Sequence, residues 1–339
     1  MKKDLIFIIY KAINLFDGRC VCLKVYNKNK LKIGDFDYFI EQIQKEEEIV
    51  KLCKCQNIVN IYKKIENQSF IIFEMDSWDF NLDDYYIKKK IGFFDEKSFE
   101  KVFSEITNAL KVLNGNGVMH RDIRPSNLFA VKEINNSYHY KLGGFEHSIY
   151  IKDNTSEPVG SYFYAAPEII KNLQYDEKCD LWSLGITLHE LLFQQLPYGK
   201  NVTINIIKQA IYYEDDFYFQ KSNYSGINTL FKKLLTINRK NRINFNEFLS
   251  YNLYLKEDII TEKFFQKSDQ ECNNPIYNTI IPVAIMSDDP ALKIPIDIEK
   301  DPIFQLFGGE KNNEYLNNKF MNKILEIIEG DHLPDCCGK

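Results

Sequence analysis

The sequence predicts a mixed α+β fold, with strands near the start of the chain and helices behind them. Segments rich in β-branched and aromatic residues, separated by short turns, fill much of the first 75 residues. From residue 97 onward, apolar residues recur at the three- and four-residue spacing of amphipathic helices. Strands and helices that are segregated along the chain in this way are typical of α+β architectures.

The first predicted elements are a hairpin and a helix. Residues 5–14 and 19–27 are β-rich and flank Asp17-Gly18, a turn dipeptide, so they predict two antiparallel strands. Residues 38–53 carry regularly spaced apolar residues among many Glu and Lys residues, which predicts an amphipathic helix.

Two short strands and six helices are predicted after this helix. The strands are expected at Ile58–Ile61 and Phe70–Met75, and the helices at 97–115, 167–172, 178–194, 202–213, 227–236 and 244–250. Residues 266–310 are rich in Pro, Asp and Asn and predict an extended tail, whereas 311–329 has the pattern of one more amphipathic helix. That helix has two possible roles, packing back on the protein or binding a partner.

Length and composition exclude several classes of protein. A chain of 339 residues has room for a two-lobed domain and an appendage. Its net charge of −5 argues against nucleic acid as a partner. No apolar stretch is long enough to span a membrane. The 8 cysteines are scattered, and we identify no signal peptide, which predicts a reducing compartment, either cytoplasmic or nuclear.

The most specific motif is His120–Asn127, which reads H-R-D-x-x-x-x-N. In this pattern the Asp accepts the proton of a substrate hydroxyl, and the Asn holds a metal ion. Other segments resemble known companions of this motif: Val21–Lys24 resembles V-A-I-K, Tyr164–Glu168 contains A-P-E, and Asp180–Gly185 resembles the start of a buried helix. Together they are similar to the eukaryotic protein kinase superfamily.

The resemblance implies a role for each residue of the motifs. Asp122 would be the catalytic base, Arg124 would pair with the γ-phosphate, and Lys24 would reach the α- and β-phosphates of ATP. Arg124 followed by Pro125 favours the Ser/Thr kinases over the Tyr kinases. The acidic partner of Lys24 is expected at Glu46, with Glu47 and Glu48 as neighbouring alternatives. The resemblance implies that ATP is bound by Lys24, Glu46, the hinge residues Glu74 and Asp76, Asn127 and Leu128.

Two departures from the family pattern stand out. Gly144-Phe145-Glu146 occupies the place of D-F-G, so the carboxylate that holds Mg²⁺ is missing. Asn127 remains as a metal ligand and Glu146 could substitute for the missing one, but binding of Mg²⁺ or Mn²⁺ is expected to be impaired. The glycine-rich loop should fall on residues 2–7, which contain no Gly, so the first strand and this loop are either missing or degenerate.

We therefore expect a bilobal protein kinase fold with an N-lobe at 1–76, a C-lobe at 77–255 and a tail at 256–339 that includes the helix near 311–329. Two functions are open. One is a pseudokinase that acts as a signalling scaffold with a protein partner and binds nucleotide weakly. The alternative is an active Ser/Thr protein kinase that uses ATP, a protein substrate and a non-standard metal site.

Overall fold

The computed structural model describes residues 7–14, 17–30, 36–88, 94–153, 155–199, 202–212 and 217–253. Most of the segment expected to form the glycine-rich loop, all of the tail at 256–339 and its predicted helix near 311–329 lie outside the described residues. The described part confirms the predicted α+β class, with its largest sheet before residue 77 and six of its seven α-helices after residue 95.

The first sheet has four antiparallel strands in the order β1-β2-β4-β3. The strands are β1 (Phe7–Ile13), β2 (Cys20–Asn27), β3 (Ile61–Glu66) and β4 (Phe70–Asp76). The predicted hairpin is confirmed as β1 and β2. The strand predicted at Ile58–Ile61 was wrong in its position, because Ile58 makes only an isolated bridge to Leu142 and the strand begins at Ile61.

Helix α1 (Phe36–Leu52) packs beside this sheet through one apolar face. Phe39, Ile43, Ile49 and Val50 are buried on that face, as their spacing predicted. Glu46 is buried among them, and a buried carboxylate requires a partner. Helix α1 therefore carries a charged group into the interior at a defined position.

The helical part contains the six helices that periodicity predicted. They are α2 (Glu96–Gly115), α3 (Pro167–Ile170), α4 (Lys178–Phe193), α5 (Ile204–Tyr212), α6 (Ser225–Leu234) and α7 (Phe245–Leu249). Helix α4 is buried continuously from Cys179 to Leu191, so it forms the centre of this half of the protein. In the part of the chain that the structure describes, no helix is long and apolar enough to cross a bilayer.

Five short strands were not predicted, and they frame the loop that follows residue 119. They form the sheets β5-β7-β8 and β6-β9, from β5 (Phe80–Asn81), β6 (Val118–Met119), β7 (Leu128–Lys132), β8 (Tyr138–Leu142) and β9 (Ile149–Tyr150). The loop His120–Asn127 runs from β6 to β7, and residues 143–148 run from β8 to β9. Both loops are thus anchored by strands at each end.

Two buried carboxylates hold the helical half together. Asp180 accepts hydrogen bonds from the backbone N–H groups of His120 (2.7 Å) and Arg121 (2.8 Å), which ties helix α4 to the loop after β6. Glu168 receives both terminal nitrogens of Arg242, at 2.7 and 2.9 Å. This bidentate pair joins α3 to the segment before α7.

Replacing Arg242 by Ala is expected to destabilise the protein by about 3–5 kcal/mol, because it leaves the buried Glu168 carboxylate without its counter-ion. Urea unfolding followed by circular dichroism measures the change. The matched control is Arg239→Ala, which removes a half-exposed arginine whose ion pair with Asp176 spans 3.6 Å, and should cost no more than about 1 kcal/mol. Equal losses for the two variants would contradict the structural role of the buried pair.

Candidate active site

The loop His120–Asn127 brings three predicted residues together. The Asn127 side-chain amide donates to both the main-chain oxygen and the carboxylate of Asp122, at 2.7 Å in each case. Arg124 places its Nε atom 3.1 Å from the same carboxylate, so Asp122 has a cation beside it. Because Asp180 fixes the backbone of this loop, the position of the Asp122 carboxylate is set by helix α4.

Lys24 lies on β2 and is almost fully buried, with 3% of its side chain exposed. Its ammonium is 2.6 Å from Glu46 Oε1, which is the pairing that the sequence predicted. The adjoining alternatives do not reach it: Glu47 pairs with Lys51 and Lys64, and Glu48 is exposed. The tyrosine two residues along β2, Tyr26, donates its hydroxyl to Glu46 Oε2.

A second carboxylate, from Glu146, also binds the Lys24 ammonium. The turn Phe145–His147 brings it there, and this turn packs against helix α1. The ring of Phe7 on β1 covers the same ammonium, with its centroid 4.2 Å from Nζ. One buried cation therefore has two carboxylates and an aromatic face around it.

The pKa directions reflect this crowding. Burial lowers the pKa of Lys24, but attraction to Glu146 and Glu46 outweighs it, and the pKa lies above its ordinary value. Burial raises the pKa of Glu46 above its ordinary value despite Lys24. For Glu146 burial also acts upward, but the charge of Lys24 dominates and lowers the pKa. Lys24 therefore stays charged, with Glu146 as a firmly ionised partner.

The metal site expected from Asn127 and Glu146 is not assembled. The Glu146 carboxylate is engaged by Lys24, and the Asn127 amide is turned onto Asp122. Among the described residues, no group of three or more His, Cys, Asp or Glu side chains is placed to hold a metal ion. Since Mg²⁺ requires several converging oxygen ligands, the residues present do not fit this ion.

The space around Gly144 is filled by a neighbouring side chain. Its backbone is left-handed, with φ of +79°. A Cβ atom at this position would lie 2.5 to 2.6 Å from the Cγ, Nδ2 and Oδ1 atoms of Asn127. The Asn127 side chain therefore occupies the space that any larger residue at position 144 would need.

A cavity of about 340 Å³ lies between the first sheet and the loop His120–Asn127, which we call the catalytic loop after its motif. Its lining includes the predicted residues Lys24, Glu46, Arg124, Asn127 and Glu146. The apolar side chains around it were not predicted as site residues, and they are Phe7, Ile9, Cys22, Val50, Val59, Ile61, Met75, Trp78, Phe80, Phe129 and Phe145. Trp78 and Phe129 lie with ring centroids 4.1 Å apart at one wall.

Three predicted binding residues do not line this cavity with their side chains. Glu74 accepts a hydrogen bond from Asn14 at 3.3 Å, and Asp76 receives Lys141 Nζ at 2.9 Å. Leu128 is buried, whereas the next residue, Phe129, reaches the cavity. Neighbouring residues of a strand point to opposite faces, so a one-residue error in register selects the wrong side chain. The side chains of Glu74, Asp76 and Leu128 therefore lie outside the cavity lining, and the predicted contact of a ligand with the main chain at Glu74 and Asp76 stays a prediction.

The interior beside the cavity is a continuous apolar stack. The rings of His120 and Phe145 meet edge to face with centroids 4.8 Å apart. Val50 on α1 and Ile61 on β3 are buried in the same core. Phe145 thus fixes the turn that carries Glu146, and the position of Glu146 follows from packing as well as from charge.

With this geometry in view, comparison with known sequences identifies the family. The profile described as protein kinase domain matches residues 8–254. The chain therefore belongs to the protein kinase domain family, and its fold is the bilobal protein kinase fold. Members of this family transfer the γ-phosphate of ATP to a hydroxyl group, with Mg²⁺ bridging the β- and γ-phosphates.

Individual relatives are Ser/Thr-kinase-like. The chain is similar to Calcium-dependent protein kinase 5 of Plasmodium berghei (strain Anka), with 28% identity over 255 residues, covering 73% of this chain and 43% of that protein. It is similar to CBL-interacting serine/threonine-protein kinase 12 of Arabidopsis thaliana, with 26% identity over 315 residues, covering 91% and 59%. The chain thus spans about half the length of these curated relatives.

Replacing Gly144 by Ala is expected to cost more stability than the left-handed backbone alone explains, because the new methyl group must push Asn127 away from Asp122. The left-handed conformation itself costs a non-glycine residue about 1–2 kcal/mol. Gly117→Ala is the matched control, since Gly117 has φ of +65° and no atom within 4 Å of an added Cβ. Equal losses of unfolding free energy in the two variants would show that Asn127 moves aside without cost.

Proposed function

We propose that this domain is a pseudokinase, which does not transfer phosphate and acts by binding a protein partner. Its nucleotide binding would be weak and independent of Mg²⁺ and Mn²⁺. The observation that carries the proposal is the double occupation of Lys24 by Glu46 and Glu146, beside a glycine where the metal carboxylate belongs.

Both features act against phosphoryl transfer. A phosphate that reaches the Lys24 ammonium must compete with the Glu146 carboxylate for it, and that carboxylate then faces the anionic ligand. Without a metal ion, the negative charge that develops in the transition state is not offset. Loss of one preorganised electrostatic group of this kind lowers the rate by roughly 10²–10³.

A surface beside the catalytic loop supports partner binding. A second cavity of about 540 Å³ is lined by Asp122 and Arg124 on one side and by Tyr162, Phe163, Ile204 and Ile207 on the other. Phe163 is 40% exposed. Ile206, which lies on helix α5 with Ile204 and Ile207, is 37% exposed. Exposed aromatic and aliphatic side chains next to charged groups suit a peptide or protein surface.

The alternative, an active Ser/Thr kinase with a non-standard metal site, is favoured by the catalytic loop. Asp122 and Asn127 are in contact, Asp180 holds the backbone of the same loop at His120 and Arg121, and Glu46 holds Lys24. The relatives of the chain include named serine/threonine kinases. Activity would require Glu146 to leave Lys24 for a metal ion and Asn127 to turn away from Asp122.

The test is transfer of labelled γ-phosphate from ATP to the chain itself and to a generic basic protein, with Mg²⁺ and separately with Mn²⁺. We expect wild type to give no more labelled product than Asp122→Ala, which removes the catalytic base. Transfer that depends on Asp122 would overturn the proposal in favour of the active kinase, and Glu146→Gln would then show whether Glu146 holds the metal.

A further inference from the structure

We infer that the 340 Å³ cavity binds a neutral purine nucleoside, such as adenosine, more tightly than the corresponding nucleoside phosphates. The inference concerns the same site as the proposed function and rests on it, because it takes the phosphate end of the cavity to be closed to anions. It gives the class of ligand that a domain of this kind would accept.

The end of the cavity where phosphates would bind already contains a carboxylate of the protein. The Glu146 carboxylate contacts the Lys24 ammonium, which is the group that family members use for the α- and β-phosphates. Glu46 binds the same ammonium from helix α1, at 2.6 Å. A phosphate arriving here would meet a lysine with two carboxylate partners, and no metal site to neutralise the added charge.

Other charges around the cavity do not compensate. Among the described side chains that line it, the basic groups are Lys11, Lys24 and Arg124, and the acidic groups are Glu46, Asp79, Asp84 and Glu146. Arg124 is beside the Asp122 carboxylate, and Lys11 donates to the main-chain oxygen of Asp79 at 3.1 Å. The lining thus has four acidic groups and three basic ones, so a ligand with several phosphates meets an excess of negative charge.

The rest of the cavity suits a flat aromatic ring. Trp78 and Phe129 form one wall, and Ile9, Cys22 and Met75 also line the space. A volume of about 340 Å³ lies at the small end of the range of roughly 300–1,000 Å³ found for small-molecule sites. A base with one sugar matches this size better than a ligand with a long phosphate chain.

A hydroxyl group in the described lining lacks a hydrogen-bond partner. The hydroxyl oxygen of Ser126 is buried, lines the cavity and makes no hydrogen bond within the described residues. Sugar hydroxyl groups both donate and accept, so a ribose could satisfy Ser126 and could also donate to the nearby carboxylates. The polar contacts at this end therefore favour hydroxyl groups over phosphates.

The experiment is isothermal titration calorimetry of the full chain with adenosine, AMP, ADP and ATP, first in EDTA and then in Mg²⁺. We expect Kd to be lowest for adenosine and to rise with each phosphate, with ATP at least about tenfold weaker. Mg²⁺ should change the Kd of ATP by less than about twofold, since a metal site is not assembled. ATP binding as tightly as adenosine in EDTA, or no binding of adenosine, would overturn the inference.

Glu146→Gln tests the cause. It removes the charge that faces the phosphates and weakens the hold on Lys24, so the ratio of ATP to adenosine affinity should rise about tenfold or more. The matched control is Glu48→Gln, which removes one carboxylate from the exposed side of helix α1 and should leave the ratio unchanged. An unchanged ratio in Glu146→Gln would contradict the assigned cause, and the wild-type series decides the inference even if this variant does not fold.

The two proposals fail separately. Phosphate transfer by wild type, together with tighter binding of adenosine, would reject the pseudokinase and keep the ligand preference. Absence of transfer, together with tighter binding of ATP, would do the reverse.

Discussion

The ammonium of Lys24 is buried where three elements of the fold meet. Strand β2 supplies the lysine, helix α1 supplies Glu46, and the turn after β8 supplies Glu146. An uncompensated charge at such a depth costs several kcal/mol, so each element is held in the position that keeps the charges paired. The usual kinase arrangement brings helix α1 to the lysine in the same way, but here a second anion holds the turn as well. The cluster pairs the lysine entirely with groups of the protein itself.

At Asp76 the side chain has a structural role. Asp76 accepts hydrogen bonds from Lys141, Tyr62 and the backbone of Asn60, and its pKa is lowered by these contacts against the effect of burial. The same contact with Asp76, together with burial, raises the pKa of Tyr62 to about 12. The carboxylate is therefore used to join β3, β4 and β8, and only the main chain at this point remains for a ligand.

Sequence patterns predicted the parts of the fold that depend on local periodicity. Helices α1 to α7 and the first hairpin follow from apolar spacing, and the catalytic loop follows from its motif. Short strands such as Phe80–Asn81 could not be predicted, because two residues carry no period and their partner lies far along the chain. Within the site, Lys24, Glu46 and Asn127 were predictable because motifs specify them. The contact of Glu146 with Lys24 was not, since it depends on how the turn packs against α1.

The tight fit of Asn127 against Gly144 bears on how a chain of this family could regain a metal site. A single change of Gly144 to Asp would restore the family's residue type, but its side chain would enter space that Asn127 fills, on a left-handed backbone. Glu146 would still hold the lysine. A carboxylate at position 144 that bound a metal ion would therefore require Asn127 to leave Asp122 and Glu146 to leave Lys24. Because these side chains touch one another, substitutions at positions 127, 144 and 146 are expected to be non-additive in their effects.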